Sequence, residues 1–149
     1  ICSGLVGSEM CIRDSSICDW TKEQNKAAIT FTSWLKDIDR VNAGLDIVAL
    51  SSLNEGTPVS LIEAQASNKP IVTTNVGGVK NVTIENKTAF ITEVNDIKHF
   101  SDALYKLVED STLRKQMGEK GWEFVQHRFS YQRLASDVAE LYKDLLNVK

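Results

Sequence analysis

The chain has 149 residues, 42% hydrophobic and 25% charged, the balance of a folded domain and not of a disordered or low-complexity segment. A net charge of −3 supplies no basic field for nucleic acid or anionic lipid. No apolar run approaches the roughly 18 residues that cross a bilayer, and two Pro with eight Gly exclude a collagen-like or Pro-rich chain.

The first residue is Ile1, and the opening ICSGLVGSEMCIRDS has neither the basic start nor the long apolar core of a signal peptide. It resembles translated sequencing-adapter read-through, so residues 1–15 are expected to be a non-native tail. Cys2, Cys11 and Cys18 all fall in the first 18 residues, an odd and clustered set without a CxxC. That pattern makes neither a disulfide framework nor a zinc site, and a body without disulfides suits a reducing cytosol. The sequons at Asn81 and Asn86 read as chance matches.

From Ala27 on, β-rich runs alternate with longer amphipathic ones. Ile29–Thr32 reads as a strand, and Asp37–Ala43 as a short helix ended by Gly44. Asp46–Leu50 is continuously apolar after its first residue, as a strand covered on both faces should be. Pro58–Ser67 reads as a helix, Pro70–Thr74 as a second buried strand and Thr88–Thr92 as a short third. Strands separated by helical connections predict an α/β fold, a Rossmann-like parallel sheet with flanking helices.

The rest is expected to be helical. Ile97, Phe100, Leu104, Leu107 and Val108 share one face at helical spacing, with Asn95 or Asp96 placed to cap. Leu113, Met117, Trp122 and Val125 suggest a second helix, interrupted near Gly121. Ser130 caps a third, whose stripe Leu134, Val138, Leu141, Tyr142 and Leu145 is expected in the core. His99 and His127 are expected to be ordinary surface or core residues.

Ligands of an open parallel sheet bind beyond the carboxyl ends of its strands. Three such ends can be read: Ser33-Trp34, Ser51–Gly56 and Asn75–Gly78. The second leaves a strand and opens a helix, with Thr57 as expected N-cap and Pro58 at the first helical position. The amides of Val59 and Ser60 would then point out of a positive helix end, which suits phosphate. Glu55 and Glu63 bracket that end, and carboxylates accept well from vicinal hydroxyls. A phosphate-binding helix start flanked by carboxylates is suited to a nucleotide sugar. The spacing alone equally allows Glu55 as a loop charge and Glu63 as a partner of the helix start.

The run LDIVALSSLNEGTPVSLIEAQASNKPIVTTNVGGVKNV resembles the nucleotide-sugar-binding half of GT-B glycosyltransferases of family 4, whose E-x7-E signature here runs from Glu55 to Glu63. The likeness continues through LVEDSTLRKQMGEKG and RFSYQRLASDVAELYKDLL and covers roughly Ala28 to Lys149. It implies that Glu55 is the catalytic residue, contacting donor-sugar hydroxyls, and that Glu63 holds the ribose hydroxyls. It places the Gly56, Thr57, Pro58, Val59 and Ser60 backbone against the sugar and diphosphate. Pro58 has no N–H, so Thr57, Val59 and Ser60 would supply the amides. Asn75, Gly77 and Gly78 lie at the adjacent strand end, where small residues allow close approach, though a plain tight turn explains them equally well.

The resemblance further implies sugar transfer with retention, no metal and no resident cofactor, the nucleotide sugar being a substrate. Residues 16–149 would be part of a carboxyl-terminal donor-binding domain. An amino-terminal half that selects a glycan or lipid-linked acceptor would be missing, with one or two strands and the diphosphate-binding Arg and Lys, a role that Lys22 and Lys26 lack the context to fill. The fragment is therefore expected to be inactive alone, and its last helix to expose an apolar face where the family's helix returns to the other half. The parent is expected in the cytoplasm, with possible peripheral membrane association and no nucleic-acid partner. A UDP-sugar 2-epimerase on the same fold, and a non-catalytic nucleotide-sugar-binding module, are the alternative readings.

Overall fold

The computed structural model describes residues 35–147. The expected strand at Ile29–Thr32, the strand end at Ser33-Trp34, the cysteines, Lys22, Lys26 and the opening 15 residues lie outside the described residues. In chain order the elements are α1 (Ile38–Gly44), β1 (Val48–Leu50), α2 (Val59–Ala66), β2 (Ile71–Thr74), α3 (Val79–Val82), β3 (Ala89–Thr92), α4 (Ile97–Glu109), α5 (Ser111–Arg128) and α6 (Tyr131–Asn147).

The three described strands form one parallel sheet in the order β1-β2-β3. Val48 pairs with Ile71 and Leu50 with Thr73; Ile71 pairs with Ala89 and Thr74 with Thr92. Every return to the sheet passes through a helix, as parallel pairing requires. Strand residues alternate between two apolar layers. Val48, Leu50, Ile71, Ala89 and Ile91 pack with α2 and α3 residues such as Leu61, Ala64, Val79 and Val82. Val72 and Phe90 face the other way, onto Phe100, Leu104, Leu107 and Met117 from α4 and α5. Both sheet faces are therefore covered, which is why the strands read as apolar runs.

Helix ends follow from local chemistry. The Asp96 carboxylate accepts from the His99 amide at 3.1 Å and caps α4; Asp110 does the same for α5 through the Leu113 amide at 2.8 Å. Arg114 donates to the Leu107 and Val108 carbonyls, satisfying the open end of α4. Ser130 Oγ accepts from the Arg133 amide at 3.3 Å, the expected cap of α6.

Four expectations need correction. Helix α2 starts one residue late: Pro58, in an extended conformation, is the N-cap, and Thr57 lies outside with no side-chain cap bond. α5 is continuous through Gly121. Gly118 and Gly121 are buried and face Asn68 and Gln65, so these glycines serve close packing and not a helix break. Ile97 and Val108 stand 78% and 62% exposed at the two ends of α4, where the sheet no longer reaches; only Leu107 of that stripe is fully buried. The stripe of α6 is exposed along its length, from Leu134 to Leu145, and no described element covers it; this corrects the core placement read from periodicity and agrees with the exposed apolar face that the resemblance implies. No helix among the described residues is long and apolar enough to cross a membrane.

Candidate functional site

The carboxyl end of β1 runs into the loop Ser51–Pro58 and then α2; the carboxyl end of β2 runs into Asn75–Gly78 and then α3. These two connections lie against each other, backbone to backbone. The Gly78 amide donates to the Gly56 carbonyl at 2.8 Å. Gly77 has φ +47°, a conformation glycine adopts without strain, and a Cβ there would fall 1.6 Å from the Glu55 carbonyl oxygen. A Cβ on Gly78 would fall 2.4 Å from the Gly56 carbonyl oxygen. The pair of glycines is thus explained by more than a tight turn, because it lets the two loops touch.

Gly56 is different. A Cβ built on it meets nothing within 4 Å, and the residue is exposed. Nothing among the described residues demands a glycine there, which leaves open space in front of the loop.

Glu55 is half-buried and its position is fixed. Its Oε1 accepts from Ser52 Oγ at 2.5 Å. The Ser52 carbonyl in turn accepts from Thr74 Oγ1 at 2.5 Å, and Thr74 is buried at the end of β2. Neither Ser52 nor Thr74 figures among the candidate residues read from sequence, although a serine three residues before a glutamate at a strand end is a usable signal. Glu63 is exposed on the same side of α2 as Val59 and Ser60, at helical spacing. The opposite side of α2 buries Leu61, Ala64 and Gln65.

At the start of α2, the first amide with a backbone partner inside the turn is that of Leu61, which donates to Pro58. The amides of Val59 and Ser60 have no backbone partner among the described residues, and Pro58 offers no side chain to cap them. They form the positive end expected of an uncapped helix. No Lys or Arg occurs from Ser51 to Gln65, so in this stretch an anion would meet amides and not cations.

Asn75 is placed at the strand end as expected, but its side chain is engaged. Asn75 Nδ2 donates to Glu93 Oε1 at 2.8 Å, and its amide donates to the Thr92 carbonyl at 2.7 Å, tying the β2 exit to the β3 exit. Beside it lies a cleft of about 280 Å³ lined by Ser51, Leu53, Thr74, Glu93, Asn95, Asp96, Ile97 and Phe100. This cleft lies toward α4, and none of the candidate residues read from sequence lines it. His99 is exposed and, among the described residues, its side chain bonds only the cap Asp96, whose carboxyl is held below its ordinary value chiefly by the His99 amide.

Comparison with known proteins bears on the family and the fold. Residues 13–124 match the family model described as glycosyl transferases group 1. The capsular polysaccharide biosynthesis glycosyltransferase CapM of Staphylococcus aureus is 29% identical over 143 residues, 96% of this chain and 37% of CapM. The D-inositol 3-phosphate glycosyltransferase of Corynebacterium jeikeium is 37% identical over 100 residues, 67% of this chain and 24% of that protein. The chain therefore spans about a third or less of the curated relatives it matches. Among solved structures, sucrose-phosphate synthase from Thermosynechococcus elongatus superposes with a TM-score of 0.82 at 21% identity, over 93% of this chain and 35% of that one. HepE from Anabaena, solved in complex with UDP, gives a TM-score of 0.82 at 18% identity, over 93% of this chain and 38% of its own. With three quarters of its length matched to the family model and a parallel sheet that superposes on GT-B enzymes, the chain belongs to the group 1 glycosyltransferases.

Proposed function

We propose that this chain is the donor-binding part of a retaining glycosyltransferase of family 4, and that a nucleotide sugar sits across the two touching loops. The observation that carries the reading is the joint between Glu55-Gly56 and Gly77-Gly78. It sets a fixed carboxylate beside an uncapped helix start, in front of open space at Gly56. In this reading the Val59 and Ser60 amides take the diphosphate, Glu55 takes hydroxyls of the transferred sugar and Glu63 takes the ribose hydroxyls. Catalysis would rest on positioning the donor and stabilising the departing nucleoside diphosphate, with no metal and no resident cofactor required.

The relatives described above are glycosyltransferases about three times as long as this chain, which supports an acceptor-binding half outside it. The acceptor in this reading is a glycan or a lipid-linked glycan, the enzyme acts in the cytoplasm, at most peripherally on a membrane, and the present chain alone does not transfer sugar. The test is to recover the complete reading frame from the source DNA, express it and assay transfer from a panel of nucleotide sugars. The reading expects product with the anomeric configuration of the donor, and near-complete loss in Glu55→Ala and Glu63→Ala. An inverted product, or a C2-epimerised sugar in place of transfer, would overturn it.

A further inference from the structure

We infer that Ser52 is a positioning residue: its hydroxyl holds the Glu55 carboxylate in the orientation that meets the donor sugar, and Thr74 holds Ser52. This rests on the donor-site reading above. Glu55 sits on a loop, where a three-torsion side chain has many rotamers and would sweep solvent. Here one carboxylate oxygen is fastened by a short, charge-assisted bond from Ser52 Oγ at 2.5 Å. Among the described residues no other group bonds the carboxylate, which leaves its second oxygen and spare lone pairs to accept from a ligand. Ser52 is itself fixed from the sheet. Thr74 is the last residue of β2, is buried, and donates Oγ1 to the Ser52 carbonyl. The residue after Glu55 is pinned by the Gly78 amide. The carboxylate is therefore referenced to the sheet on both sides, which is how binding groups are preorganised.

Loss of the Ser52 hydroxyl would release the carboxylate without disturbing the helix start. It should weaken recognition of the sugar and spare recognition of the nucleoside diphosphate. The 149-residue chain is titrated with UDP-glucose, UDP-N-acetylglucosamine and GDP-mannose, and with UDP and GDP, following amide chemical shifts. The quantity read is the ratio of diphosphate Kd to nucleotide-sugar Kd. Ser52→Ala should lower this ratio about tenfold, the range expected for a hydrogen bond to a charged group, toward the value for Glu55→Gln. The Kd for the free diphosphate should stay within about twofold. Ser52→Thr and Ser52→Val, equal in shape, isolate the hydroxyl whatever Ala does to the fold: Thr should keep most of the ratio and Val should lose it. An unchanged ratio in Ser52→Val would overturn the positioning role while leaving the donor site standing. Parallel weakening of both ligands would also overturn it, showing a structural role only. A wild-type chain that does not distinguish sugar from diphosphate would defeat both this inference and the donor-site reading.

Discussion

Gly77 and the Glu55 carbonyl are in such close backbone contact that no side chain fits between them: a Cβ on Gly77 would stand 1.6 Å from the Glu55 oxygen. The contact joins the exits of two adjacent strands, and with the Gly78-to-Gly56 bond it determines where Glu55 is carried. Gly77→Ala must break this contact and also hold alanine at positive φ. The expected loss is about 2–4 kcal/mol of unfolding free energy, read by urea titration. A loss under 0.5 kcal/mol would mean the loops separate freely.

Gly56→Ala provides the contrast. Its Cβ meets no atom of the described residues within 4 Å, so stability should change by no more than about 0.5 kcal/mol. Nucleotide-sugar binding should nevertheless weaken by tenfold or more, because the methyl group occupies the space in front of the loop. Unchanged affinity would place the ligand elsewhere.

In an exposed helix, Gly→Ala stabilises by about 1 kcal/mol. Gly118→Ala should do the reverse. Its Cβ would fall 2.0 Å from the Asn68 carbonyl oxygen, where α5 crosses the end of α2. Asn68 already sits at φ +57° and has little room to yield. Thermal unfolding should show a lower Tm for Gly118→Ala; a higher one would contradict the packing described.

Asp96 supplies a pH-dependent test. The His99 amide, then the His99 side chain, hold its carboxyl below the ordinary value of 3.8. A depressed pKa in the folded state contributes stability above the unfolded value, lost as pH falls through the folded one. The His99 amide resonance should therefore titrate with a midpoint below 3.8, and the start of α4 should fray there first. Asp96→Asn should remove that transition while keeping a capping oxygen.

The core strands were legible in the sequence because burial on both faces leaves a continuous apolar run, as in Ile71-Val72 and Ile47-Val48. The loop that carries Glu55 and Gly56 was legible as the exit of a strand into a helix, while the donor-contact roles of Glu55, Gly56 and Glu63 came from the family resemblance and not from spacing. Most of what was not legible depends on contacts between distant segments. The start of α2 shifts because Pro58 takes an extended conformation, with ψ 92°, and so stands as the N-cap instead of inside the first turn. α5 runs through Gly121 because the missing side chain makes room for Gln65, which spacing along one helix cannot reveal. The stripe of α6 illustrates the limit of periodicity, which identifies an apolar face but not what covers it. Thr74 was not legible because its bond to Ser52 forms only once two strand ends are side by side, whereas Ser52, three residues before Glu55, carries a local signal.

The most direct test of the central claim is an amide-resolved titration of this chain with nucleotide sugars. The account predicts that the largest shifts fall on Gly56, Thr57, Val59, Ser60, Gly77 and Gly78, and that Glu63→Gln weakens them. Shifts centred instead on the cleft beside Glu93, Asn95 and Ile97, or no shift with any donor, would contradict it.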